Sequence, residues 1–142
     1  MPLTGDDDIR NLLRASRRIA MVGASANPDR ASYGVMRFLL AHGYDVIPVN
    51  PGLAGQDLLG QTVVASLSDI IPPVDLVDIF RSSDAAGEVV DTAIAHGASA
   101  VWMQLGVVNQ AAAHRAEAAG LQVVMDHCPK IEIGRLGISG PA

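Results

Sequence analysis

The chain has 142 residues, 49% hydrophobic, 18% charged and 4% aromatic, with a formal net charge of −5 at pH 7. This length predicts one domain spanning 1–142, and the apolar content excludes disorder as the default state. The single cysteine, Cys128, excludes an internal disulfide and a cysteine-based zinc cluster, and the absence of any basic run beyond Arg17-Arg18 argues against sequence-independent nucleic-acid binding.

Asp6 to about Ser16 predicts a short amphipathic helix carrying Ile9, Leu12 and Leu13, with aspartates at its positive end and Arg14 near its negative end. The first ten residues do not read as a signal peptide, and the apolar runs are too short and too interrupted to span a bilayer. A cytoplasmic protein with no membrane partner is therefore expected. Arg18 to Gly23 predicts a strand ending on glycine, Ala31 to His42 a helix, and Tyr44 to Asn50 a second strand. The glycine-rich stretch Pro51 to Gln61 reads as a loop. Val74 to Phe80 predicts a third strand, set off from any preceding helix by Pro72-Pro73. Helices over about Asp84 to His96 and Asn109 to Ala119 alternate with strands over Ala100 to Leu105 and Leu121 to Met125. The ends, 1–9 and 137–142, are expected to be loosely ordered. Five strands alternating with helices predict a parallel sheet covered on both faces, a doubly wound α/β fold; the pairing order is not readable from the pattern.

In such folds ligands bind beyond the carboxyl ends of the strands. The segment after the first strand is the richest: Gly23 permits a tight turn, Ser25 and Ser32 bring hydroxyls, Ser32 is placed to cap the helix, and Arg30 can fork onto a phosphate. The same residues also suit a plain turn, cap and surface charge; their position after the first strand favours an anion site. The dinucleotide fingerprint is incomplete, since Gly23 is followed by Ala24, Ser25, Ala26, Asn27 and Pro28, and Asn50-Pro51 stands where an acidic residue would hold an NAD ribose. No Gly-Lys-Ser/Thr phosphate loop is present. Arg81 either approaches the same crevice or starts a surface turn. Gln104 either reads a ligand amide or base edge, or satisfies backbone groups. Trp102 suits core packing, His42 and His96 suit helix ends where some positive charge is favoured, and Cys128 suits a small buried hydrophobe. No residue spacing suggests a catalytic constellation or a metal site.

Ile19 to Val35, Gly43 to Pro51, Val74 to Arg81, Val101-Trp-Met-Gln-Leu-Gly106 and Val124 to Cys128 together resemble the successive motifs of the small bacterial and archaeal CoA-binding proteins. These are similar to the N-terminal CoA-binding domain of the succinyl-CoA synthetase α subunit, and the resemblance runs from about Arg10 to Leu136. It implies a three-layer Rossmann-like domain that binds coenzyme A or an acyl-CoA. By that resemblance Gly23, Ala24, Ser25, Arg30 and Ser32 meet the phosphates, and Val49, Asn50 and Pro51 flank the nucleotide. Phe80, Arg81 and Ser82 line the crevice, and Gln104 to Gly106 lie towards the pantetheine. The absent dinucleotide fingerprint and acid–base pair favour a non-catalytic module, monomeric or homodimeric, acting as a carrier, a sensor or a partner of an acyl-CoA enzyme. The synthetase's ligase chemistry is not carried over. A nucleotide-dependent oxidoreductase or transferase, completed by a partner or dimer, is the alternative. For Cys128, in the last motif, a mixed disulfide with CoA is the less favoured alternative to a buried hydrophobe.

Overall fold

The computed structural model describes residues 1–142. Helix α1 (Asp6–Ala15) leads into strand β1 (Arg18–Val22), helix α2 (Ala31–Ala41) and strand β2 (Asp45–Val49). A short excursion follows, with a 3₁₀ turn at Pro51–Leu53, two-residue strands β3 (Asp57–Leu58) and β4 (Gln61–Thr62), and a second 3₁₀ turn at Leu67–Asp69. Strand β5 (Leu76–Ile79), helix α3 (Ser83–His96), strand β6 (Ala100–Met103), helix α4 (Gln110–Ala118), strand β7 (Gln122–Val124) and helix α5 (Pro129–Leu136) complete the chain.

The main sheet has the order β2-β1-β5-β6-β7, and every pairing in it is parallel. The chain builds outward from β1 to β2, then crosses back to β5 and proceeds the other way. That reversal gives a doubly wound, Rossmann-like α/β fold and puts its topological switch point between β1 and β5. Alternation along the strands separates two cores. Ile19, Met21, Leu76 and Trp102 face one side and pack with Ile9, Leu13, Val35, Leu39 and Ile133 from α1, α2 and α5. Ala20, Val22, Val77, Ile79 and Met103 face the other and pack with Ala86, Val90, Ala112 and Ala116 from α3 and α4. Small alanines on α3 and α4 let those helices lie close to the sheet, whereas the first face is filled by larger aliphatic residues and Trp102.

The structure departs from the sequence-based expectations in three places. The stretch after β2 is a folded excursion: β3 and β4 pair through a tight turn at Leu59 and Gly60, both with positive φ, and Val64 then pairs in parallel with Val49. Helix α5 was not expected. It starts with Pro129 as a preset first-turn residue and ends at Gly137 in the left-handed conformation. Both terminal segments make backbone hydrogen bonds to the rest of the fold. Leu3 donates its N–H to the Val123 carbonyl at 2.7 Å, Ile138 is buried, and Ala142 N–H donates to the Arg14 carbonyl at 2.8 Å. These bonds cover the edge of β7 and the end of α1, which would otherwise leave backbone groups unpaired. His96 accepts a hydrogen bond at Nε2 from the Val74 N–H at 3.1 Å, and partial burial together with Arg18 lowers its pKa, so the expected positive charge at this helix end is absent at neutral pH. No helix is long and apolar enough to cross a membrane.

Candidate functional site

Beyond β1 the chain turns at Gly23, where φ is +92 and a Cβ would run into the Phe80 carbonyl oxygen; only glycine fits. The Gly23 N–H donates to the Val49 carbonyl at 3.1 Å, which hangs the turn on the end of β2. Asn50 completes that joint. Its Nδ2 donates to the Ala24 carbonyl and its Oδ1 accepts from the Gly52 N–H, both at 2.8 Å. The polar atoms of Asn50 are thus already engaged, and the residue serves the site by clamping two loops. Ser25 Oγ accepts from the Asn27 N–H and Asn27 Oδ1 from the Asp29 N–H, both at 3.0 Å, folding the loop over the start of α2. Ser32 is not the cap of that helix: Arg30 holds the N-cap position without a side-chain capping bond, while Ser32 sits buried in the first turn. The leading amides of α2 therefore have no capping side chain, and the positive end of the helix dipole is open to an anion.

Two cavities meet at the switch point. The larger, about 630 Å³, is lined by Gly23, Ala24, Ser25, Arg30 and Ser32 from the β1–α2 loop, Phe80, Arg81 and Ser82 beyond β5, and Gln104 beyond β6. The smaller, about 340 Å³, lies towards α3 and is lined by Val49, Asn50 and Pro51 beyond β2, with Gly23 and Arg81. Gly23, Asn50 and Arg81 line both, so the two form one continuous crevice across the end of β1. Of the residues singled out from sequence, Gly106 alone lies outside this crevice. Its N–H donates to Asp126 Oδ1 at 2.7 Å and its carbonyl accepts from Ser83 Oγ at 3.3 Å, so it belongs to a turn that holds the loops together. Leu105, placed with Gln104 and Gly106 from sequence, does line the larger cavity; sequence reasoning missed Ala31 and Val107 there, and Ala65, Ser66, Leu67, Val89 and Thr92 in the smaller one. Val107 adjoins a predicted residue and was within reach. Ser66 and Leu67 arrive only because Val64 pairs back onto Val49, a contact no local pattern announces.

The electrostatics of the crevice are simple. Arg30 and Arg81 are exposed and join none of the ion pairs in the molecule. No Asp, Glu, His, Lys or Cys lines either cavity. The lining offers two guanidinium groups, hydroxyls and backbone amides to an anion, and no group suited to general acid–base chemistry. Ser82 is partly engaged, its Oγ accepting from the Ala85 N–H at 3.2 Å as the cap of α3. No cluster of three His, Cys, Asp or Glu residues is placed to hold a metal.

Two polar side chains near the crevice stand out because nothing in the protein satisfies them. Gln104 is 6% exposed, and its Oε1 is buried without a hydrogen-bond partner. Its backbone N–H continues the ladder to the Ile79 carbonyl, but its side chain does not satisfy backbone groups. Asp78 is fully buried in the middle of β5, in register with Met21 on one side and Trp102 on the other, and neither carboxyl oxygen has a partner. Burial raises its pKa well above the usual carboxylate value. Trp102 is a core residue whose Nε1–H donates to the His127 carbonyl at 2.8 Å. Cys128 is buried in the same core and lines neither cavity. His127, its neighbour, turns its Nδ1 to the Met125 carbonyl at 2.6 Å.

Comparison with known proteins supplies relatives of this chain and of its fold. The protein YneT of Bacillus subtilis, which is uncharacterized, is 38% identical over 124 residues, covering 87% of this chain and 90% of the relative. The structure of a hypothetical protein from Pyrococcus horikoshii superposes with a TM-score of 0.89 at 40% identity, covering 96% of both chains. A dinucleotide-forming acetyl-coenzyme A synthetase from Ca. Korarchaeum cryptofilum, determined with phosphate and ADP, superposes with a TM-score of 0.71 at 25% identity, covering 86% of this chain and 28% of the synthetase. The sequence profile of the CoA binding domain family matches residues 17–134, and the chain belongs to that family.

Proposed function

We propose that this protein binds coenzyme A or an acyl-CoA in the crevice across the end of β1, as a binding module without catalytic groups of its own. The observation that carries this reading is the convergence of two unpaired arginines, Arg30 and Arg81, with an uncapped helix start on one cavity that opens into a second. A ligand with phosphates at one point and an extended arm and a base on either side matches that shape. The phosphates take the Gly23–Ser25 turn, the start of α2 and the two guanidinium groups. The base takes the smaller cavity between Val49, Pro51 and α3, and the pantetheine arm runs over Phe80 towards Gln104 and Leu105. Membership of the CoA binding domain family supports the ligand class. Asn50, clamped between two loops and carrying no charge, offers a 3′-phosphate no repulsion.

An enzyme reading, in which a nicotinamide nucleotide or CoA is bound and a partner or second copy brings the reacting groups, is the alternative. Its disfavouring observation is the lack of any ionisable side chain other than arginine in the lining. Native mass spectrometry of the purified protein, followed by calorimetric titration with CoA, acetyl-CoA, NAD and NADP, tests both. Saturable one-to-one binding of CoA or acetyl-CoA with no binding of NAD is the expected result, whereas tight NAD binding without CoA binding overturns the proposal.

A further inference from the structure

A buried, unpartnered carboxyl in a central strand is costly, and such a group persists in a stable fold when something over-determines it. Asp78 is such a group, and Gln104 is the second orphan. Strand alternation puts both on the same face of the sheet: Asp78 is in register with Trp102, Gln104 lies two residues beyond Trp102, and its N–H still bonds to the β5 carbonyl of Ile79. The two are diagonal neighbours on adjacent strands, a separation that a long side chain spans. Of the Gln104 amide, Oε1 is the atom buried without a partner, so the Nε2 end is left to face the cavity that the residue lines. An oxygen of a carboxylate cannot satisfy Oε1, but a carboxylic acid can, because it carries one donor.

We propose that Asp78 is a positioning residue: from beneath the cavity floor its carboxyl O–H donates to Gln104 Oε1 and locks the Gln104 amide with its N–H₂ group turned into the cavity, as a donor for a carbonyl oxygen of the ligand. The ligand's identity rests on the CoA-binding reading above. The carbonyl belongs either to an amide of the pantetheine arm or to the thioester of an acyl-CoA; both offer the same acceptor. Without the lock the amide can rotate and present its oxygen, which would repel that acceptor.

Calorimetric titration of the whole protein with CoA and with acetyl-CoA reads the proposal through Asp78→Val, Asp78→Asn and Gln104→Leu. Asp78→Val, which removes the donor, is expected to weaken binding about tenfold, the scale of one hydrogen bond. Asp78→Asn, whose amide keeps a donor for Oε1, is expected to restore binding. The loss in Asp78→Val plus Gln104→Leu should not exceed that of Gln104→Leu alone. A loss seen with CoA itself assigns the carbonyl to pantetheine, and one seen only with acetyl-CoA assigns it to the thioester. Unchanged affinity of Asp78→Val for both ligands, or additive losses in the double variant, overturns the proposal. Carbon-13 NMR of the Asp78 carboxyl reads it without a ligand, so it stays testable even if CoA binding itself fails. A protonated signal at neutral pH that shifts in Gln104→Leu is expected, and an ionised or insensitive signal refutes the lock.

Discussion

The buried carboxyl of Asp78 makes stability depend on pH with a sign opposite to that of most aspartates. In the unfolded chain the group titrates near the ordinary value of about 3.9. In the folded protein burial alone raises its pKa, with no cation beside it to oppose the shift. Between those two values the folded state keeps a proton that the unfolded state has released, so the stability contribution is full below the unfolded pKa and is lost as pH rises towards the folded one. The slope for one such proton is about 1.4 kcal/mol per pH unit. Asp78→Asn removes the titration while keeping the shape, so the difference in unfolding free energy between variant and wild type should be flat below about pH 4 and then grow in favour of the variant with that slope. Any fixed cost of burying the new amide shifts the curve without changing its slope, and every other titrating group cancels in the difference. Urea unfolding followed by circular dichroism at a series of pH values measures it. A difference that stays constant across the range, or one that falls with rising pH, would refute the assignment of Asp78 as a neutral acid.

Arg30→Ala should weaken CoA binding by about 1–3 kcal/mol, the range for a lost charge-assisted hydrogen bond, with a smaller dependence of affinity on salt than in the wild type; an unchanged affinity removes Arg30 from the site. His96 contributes in the opposite pH direction to Asp78: its folded pKa is lowered, so the stability it supports is complete above the unfolded value of about 6.5 and declines as pH falls below it. His96→Gln should abolish that part of the acid sensitivity, and unfolding curves at mildly acidic pH that match the wild type would contradict it. Cys128 should form no adduct when the native protein is exposed to CoA disulfide, and should become reactive only under denaturant; stoichiometric, reducible addition in intact-mass spectra of the native protein would show that the core opens at α5.

The layered fold was legible because each unit is punctuated. Gly23, Gly43, Gly97 and Gly120 end a strand or helix where the chain must take a positive φ, and the apolar runs that follow the last three become β2, β6 and β7. Where the chain lacks such punctuation the pattern is silent. Two-residue strands such as β3 and β4 are too short for a period-2 signal, and their Leu59-Gly60 turn is not among the common hairpin dipeptides. Helix α5 carries Gly134 within it and only a few core-facing residues, so its periodicity is weak. The loop residues that line the crevice were singled out by their position just past β1, since arginine, serine and glycine taken alone suit a plain turn as well as an anion site.

Asp78 shows where that logic stops. Asp75 and Asp78 lie three residues apart in one apolar segment, yet Asp75 stands at the lead of β5 and accepts the backbone N–H groups of Arg17 and Arg18 at 3.0 and 2.9 Å, whereas Asp78 meets no donor at all. Nothing in Val-Asp-Leu-Val-Asp-Ile-Phe distinguishes them; the difference is made by the neighbouring strands, and strand order was the one property of the sheet that the sequence did not disclose. A polar residue inside a strand buried on both faces breaks the local rule for such strands, and folds that break a local rule tend to do so at functional sites. The two buried polar side chains that lack partners in this protein, Asp78 and Gln104, stand one beneath the crevice and one in its wall, on adjacent strands of the same face. Two independent violations would have no reason to be neighbours, and the hydrogen bond proposed between them supplies one.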